Sequence, residues 1–436
     1  MSRTRIVKGK IFEAVEQDYT IYSESDIIDS SAEIVSEKGA EKGVSYGNAS
    51  HPPAGIIQAK CLVQFRPHAK WSGEFGFDWL RIGDTGTKGD TWYKNITGQY
   101  DINYNFVKKS SVYQKLINKF YAMSIPWKPK INGNPYLYLI PYMTIYKGMT
   151  NKLTLKVEIE ELPKKLIIRH KKSPNDKDTY FKFNISEITI KKGKYTLDNY
   201  LEITCLKELR TDQIIEVIAD DVVCGKLKIL ANSSAHQKQG KVLFITVISQ
   251  TGKGSTTGEI SRLNKYLKQA YINVNVKSIN INLSNDRNFI PKLRSGIGIH
   301  QYLDAKLRTA KFPDGSVVGN KYDSFYKVYF ISEVIQQSDG SYLLGEAENI
   351  PSKTVYVLNL KDTATAAGVG FESVKTTATH ELLHAIGLYH TFDNSSPITF
   401  EEFKTDNIMD YYSHITNIIA KQTYKWQWDI LKKMIH

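Results

Sequence analysis

Hydrophobic positions along this chain change period partway through. Across residues 151–232 they alternate with polar ones: Leu153, Leu155, Val157 and Ile159, then Leu166–Ile168, Tyr180–Ile190, Tyr200–Cys205, Ile214–Ile218 and Val222–Leu230. A period of two belongs to a strand with one buried face. Some seven short strands at regular spacing predict a β-sandwich of immunoglobulin-like size. From Lys241 strand and helix patterns follow one another. Val242–Ser249 is almost continuously apolar, as in a strand covered on both faces. Thr256 and Glu259 have capping-box spacing, and Ile260, Leu263, Leu267, Ala270 and Tyr271 mark one helical face. Ile279, Ile281 and Leu283 alternate with Asn, and Tyr326–Val334 and Thr354–Leu360 read as further strands. Ile419, Trp426, Ile430 and Met434 predict a closing helical stripe.

Upstream, residues 1–50 carry short apolar runs between Ser, Asp and Glu, which predicts a β-rich N-terminal arm. Gly47–Gly55 and Ala231–Gly240 have linker composition. Residues 56–150 interleave Trp71, Phe75, Phe77, Trp79, Trp92, Tyr93, Tyr100, Tyr104 and Phe106 with Gly and Asp, a β-rich module whose rings are mostly core. Four regions result: 1–50 an arm, 56–150 an aromatic-rich module, 151–232 the sandwich, and 240–436 a domain of mixed strand and helix.

Length and composition bound the function. The 436 residues suffice for several cores, and 41% hydrophobic with 11% aromatic content is globular. Lys and Arg number 58 against 45 Asp and Glu, a net charge of +13. The cations are spread rather than clustered, so no nucleic-acid partner is expected. Cys61, Cys205 and Cys224 make no disulfide framework; Cys205 and Cys224 either pair across strands or stay as buried thiols. No run approaches the ~18 apolar residues of a membrane span, and the start lacks the apolar stretch of a cleaved signal. Either the chain stays in the cytoplasm or it leaves by a route that needs no cleaved signal. Gly252-Lys-Gly-Ser-Thr256 lies where a phosphate loop would, but Val247 replaces its first glycine and Gly254 follows the lysine, so no nucleotide is expected.

The chemistry concentrates in Thr379–His390, T-H-E-L-L-H-A-I-G-L-Y-H. His380 and His384 are four apart, on one helical face and within reach of one ion. Glu381 faces the same site. Gly387 can take the left-handed conformation that ends a helix, so that His390 arrives as a third nitrogen ligand. Three imidazoles with one open position describe a catalytic zinc site rather than a closed structural one.

These residues resemble the metzincin zinc endopeptidases, whose pattern is H-E-x-x-H-x-x-G-x-x-H followed by a methionine-containing turn, here Asn407-Ile408-Met409-Asp410-Tyr411. Thr377–Phe392 is most similar to the active helix of the pappalysin-like (cytophagalysin) family, departing from it at Leu383 and Ala385. The resemblance implies an α+β zinc peptidase domain that hydrolyses protein or peptide substrates. His380, His384 and His390 would be the metal ligands and Glu381 the general base and acid. Met409 would be an apolar floor, and Tyr411 the oxyanion-steadying residue, with Tyr412 as its neighbouring alternative. His414 is left out of the ligand set. Leu344–Pro351 resembles the metzincin edge strand that borders the cleft. An upstream Cys acting as a latency ligand has no local motif here, and calcium near Asp393 or Asp406 stays open. The stretch from Thr20 resembles, over some thirty residues, the strands of bacterial type VI secretion spike proteins. It implies a secreted effector or toxin whose β modules meet a spike or tube protein. The alternatives are a housekeeping or exported protease, and a structural or adhesive β protein with a degenerate zinc domain.

Overall fold

The structure is a computed structural model that describes residues 59–131, 133–173, 176–358, 371–412 and 416–435. The expected N-terminal arm and first linker lie outside these residues, as does His414. Lys60–His436 forms one compact unit. It is β-rich, with several small sheets and, among the described residues, seven α-helices.

Two sheets come from the first half. One runs Cys61–Pro67, Thr150–Ile159, Gly193–Cys205, Phe181–Phe183, all antiparallel. The other runs Phe77–Asp78, Tyr142–Met143, Val222–Ile229, Gln213–Ala219, Leu166–His170. Strands from the aromatic-rich region thus complete both sheets whose remaining strands lie between residues 150 and 229. Trp71, Phe75, Phe77, Trp79 and Tyr93 are buried as expected of core rings, whereas Trp92 and Tyr104 are exposed. Much of residues 68–131 is irregular, with only short strands and two helices, and Trp71, Phe75, Phe77 and Trp79 pack edge to face there. The three cysteines are buried free thiols on strands of these two sheets. Among the described residues none of them joins the histidine cluster.

The second half is built on a five-stranded sheet, ordered Ile272–Asn282, Lys238–Ile248, Tyr326–Ile331, Thr354–Leu358, Gly345–Ala347. The first four strands are parallel and the last is antiparallel. The apolar run of Lys238–Ile248 has the expected cause: Val242 and Phe244 enter one core with the helices Glu259–Leu267, Phe371–Ile386 and Lys425–Met434, while Leu243, Ile245 and Val247 enter another with Phe289–Ser295 and Ile299–Thr309. Among the described residues no helix is long and apolar enough to cross a membrane.

Three local expectations are corrected. Thr256 does not cap a helix. Gly258 takes the N-cap position in the left-handed region, and Arg262 engages the Glu259 carboxylate. On the last helix Gln427 Oε1 accepts from Tyr424 N at 2.8 Å, and that helix begins after Ile419 and leaves that residue exposed. Ala231–Gly240 is only partly a linker. Asn232 is buried, donates to Ile145 O and accepts from Leu209 N, and the strand begins at Lys238.

The last helix is held at its start by Asp78, which accepts from Lys425 N at 2.9 Å. Burial pushes this carboxyl up to about 7, against the opposing Lys425 N–H and the charge of Arg81. The folded chain therefore binds an extra proton from about pH 4 to 7, and stability falls as pH rises through that window, by on the order of 2–4 kcal/mol. Asp78→Asn keeps an acceptor for Lys425 without the charge. It should melt higher than the parent at pH 8 and no higher at pH 4.5.

Candidate metal centre

The helix Phe371–Ile386 carries the first two histidines one turn apart and buries Ala378, Leu382, Leu383, Ala385 and Ile386 in the core. It stops at Gly387, whose φ of 115° is a conformation that side chains avoid. There Leu388 N reaches back to Leu383 O at 3.0 Å and Gly387 N to His384 O at 2.8 Å, a Schellman closure. Leu388 then packs into the core, and the reversal brings His390 to the helix face. Gly387→Ala should cost about 1–3 kcal/mol of stability through strain alone. It should also weaken metal binding, read by denaturant melts and metal titration on the same preparation.

The three Nε2 atoms converge. His380 and His384 are 3.1 Å apart, His380 and His390 3.1 Å, and His384 and His390 3.0 Å. Backbone carbonyls set the tautomers: His380 Nδ1–H donates to Ile408 O at 2.7 Å, and His384 Nδ1–H donates to Leu388 O at 2.6 Å. A carbonyl only accepts, so both Nδ1 atoms carry the proton and both Nε2 atoms present bare lone pairs. Burial pulls His380 down to about 3, His384 to about 4 and His390 to about 2, so all three are neutral at ordinary pH. Lone pairs facing one another at 3.1 Å repel unless a cation lies between them. A tetrahedral zinc with Zn–N ~2.0–2.1 Å separates its ligands by about 3.3–3.4 Å. The donor set fits such an ion with a shift of a few tenths of an ångström. Among the described residues this is the one group of His, Cys, Asp or Glu with metal-ligand spacing.

Phe392 stacks on His390 with ring centroids 4.7 Å apart and fixes its plane. Met409 is fully buried in the core, and its carbonyl accepts from Thr391 N. The turn around it is held by Asn407 Oδ1, which accepts from Met409 N, and by the Asp410 carboxylate, which accepts from Phe403, Thr405 and Tyr411 N–H groups. The Tyr411 ring lies 4.7 Å from His390 and 6.0 Å from His380, at the partly exposed mouth. Burial first, then the charge of Glu381, pushes its hydroxyl up to about 12. Tyr412 is engaged elsewhere, donating to Asn417 at 2.9 Å.

Glu381 is partly buried between this helix and the edge strand Gly345–Ala347. Burial pushes its carboxyl up to about 8, Glu346 adds to the shift, and the Ala347 N–H opposes it. Glycine is required at 345. A Cβ there would lie 2.8 Å from Tyr356 O, 3.0 Å from Thr377 Cγ2 and 3.1 Å from Glu381 Cγ. The edge strand could not otherwise approach the helix that carries His380 and His384.

Asp406, one of the two positions left open for calcium, is bonded to protein groups. Arg81 Nη2 takes both its carboxylate oxygens, at 3.1 and 3.0 Å, and Gln422 Nε2 takes one of them again. Asp393 accepts from Ser395 N in a tight turn. Sequence reasoning missed the upstream wall of the site. Gly98 N donates to Thr399 O, Tyr100 N to Asn394 Oδ1, and Glu402 N to the Tyr100 hydroxyl. No local signal marks these partners, which lie some three hundred residues apart in the chain.

The chain matches no family model and no curated protein. Among solved structures it is similar to archaemetzincin from Methanopyrus kandleri, at 19% identity and a TM-score of 0.27, over 46% of this chain and 96% of that one. A likeness this slight bears on neither fold nor function.

Proposed function

We propose that the chain is a zinc-dependent endopeptidase of the metzincin type, most like the pappalysin-like group. One observation carries the reading: three neutral imidazoles, two locked by backbone carbonyls with their bare Nε2 atoms inward, converge beside a carboxylate. When bound by His380, His384 and His390, zinc supplies a Lewis acid that polarises the scissile carbonyl and makes a water nucleophilic near neutral pH. The remaining steps belong to the chain. Glu381 takes the proton of the attacking water and returns it to the leaving amine. A cation held by the three neutral histidines would favour its ionised form, against the upward pull of burial. The Ala347 N–H keeps the carboxylate aimed at the site. Gly345–Ala347 is an edge strand, to which an extended peptide can add by backbone pairing. Tyr411 donates its hydroxyl proton as a hydrogen bond to the developing oxyanion, a role that suits a phenol held un-ionised.

The two upstream sheets serve docking, and delivery as a type VI effector rests on the resemblance within residues 1–50. Co-purification of the full chain with a spike or tube protein would support that delivery, and its absence would favour an ordinary protease. An adhesive protein with a degenerate site is disfavoured by the complete His380, Glu381, His384 and His390 set. The test of the activity is cleavage of an unfolded protein by the whole chain. Cleavage stopped by a chelator and restored by zinc supports the proposal. Cleavage indifferent to both rejects it.

A further inference from the structure

We infer that Arg81, from the segment upstream of the peptidase region, is a positioning residue for the metal centre, acting through Asp406 and the methionine turn on His380. The inference rests on the zinc reading above. His380 keeps its orientation through one bond, to Ile408 O. The position of that carbonyl is set by the turn that carries it. On one side Ile408 N is bonded to Gln422 O at 2.9 Å, and Asn407 Nδ2 to Gln427 Oε1 at 2.7 Å. On the other side the turn begins at Asp406, which Arg81 grips with one nitrogen on both carboxylate oxygens.

The grip is itself fixed. The Arg81 guanidinium lies 3.6 Å from the centre of the Trp79 ring, and a second carboxylate, Asp90, stands 3.9 Å from Nη1. The side chains of Arg81 and Asp406 are 1% and 2% exposed, so solvent does not compete for the pair. The surroundings leave little slack. A Cβ on Gly89 would lie 2.8 Å from Asp406 Cβ, and one on Gly73 would lie 1.7 Å from Lys421 O, whose own N–H bonds Asp406 O at 2.8 Å. A rigid path therefore runs from Trp79 and Arg81 through Asp406 to Ile408 O and His380 Nδ1. It joins two stretches more than three hundred residues apart in sequence. A buried carboxylate robbed of its cation would draw in water or take a proton, and the turn would shift. The shift would be felt as poorer aim of one ligand rather than as loss of the fold.

The test uses the full chain as Arg81→Met, Arg81→Lys and Asp406→Asn, with Lys327→Met as the control. Lys327, on the central strand Tyr326–Ile331, is buried and pairs with Asp304 of the helix Ile299–Thr309, away from the turn. Zinc affinity is measured by competition with a chromophoric chelator, the visible spectrum is recorded with cobalt in place of zinc, and melting is followed after chelation. Arg81→Met should weaken zinc binding by about tenfold, the lower end of what outer partners of a ligand histidine contribute, and should move the cobalt bands. Arg81→Lys should recover part of this, since one ammonium replaces a planar fork. Lys327→Met should lower the melting temperature and leave affinity and spectrum unchanged. If Arg81→Met fails to fold, Asp406→Asn, which is isosteric, decides. Folded variants that bind zinc as tightly as the parent with its cobalt spectrum would overturn the inference. A parent chain that binds neither metal would overturn the zinc reading itself, and this inference with it.

Discussion

Glu381→Gln should still bind one zinc per chain and should cleave an unfolded protein about 10²–10⁴-fold more slowly. Gln keeps the shape of the side chain and an oxygen for the Ala347 N–H. It touches no ligand histidine bond, since those run to Ile408 O and Leu388 O. What it removes is the proton acceptor. A variant with full zinc and activity within a few-fold of the parent would show that Glu381 is not the base. A variant that loses zinc as well would show that the residue holds the site together.

His384→Ala should have the larger effect on the metal. It deletes one of three converging nitrogens and strands Leu388 O, the acceptor that ties the helix to its terminating turn. Loss of an outer-shell partner already weakens metal binding about 10–100-fold, so loss of a ligand should exceed that and abolish zinc retention through dialysis. Cleavage should vanish with it. Zinc retained at parental affinity would mean that another donor set holds the ion.

How much of this could be read from the chain depends on how local the determinants are. The helix with His380 and His384, its stop at Gly387 and the return of His390 are all specified within eleven residues, and the structure brings those three nitrogens together. The apolar run within Lys238–Ile248 was readable for the same reason, whereas the edge position of Gly345–Ala347 followed from the resemblance of Leu344–Pro351 to an edge strand. The carbonyls that set the tautomers were not readable, because every residue carries one and only the fold selects Ile408 and Leu388. Arg81 was one cation among 58, and its partner lies 325 residues away. The misplaced cap at Thr256 shows the converse. A local motif was present, but Gly258 could reach the left-handed region at no steric cost, and the Glu259 carboxylate found Arg262 instead.

The most direct measurement is zinc X-ray absorption on the full chain after dialysis against buffer, with metal content determined on the same sample. One zinc per chain with three imidazole nitrogens at ~2.0–2.1 Å and a light fourth ligand from solvent is the expected result. Retention of no zinc, or an ion closed by four protein ligands or by sulfur, would contradict a catalytic centre at His380, His384 and His390.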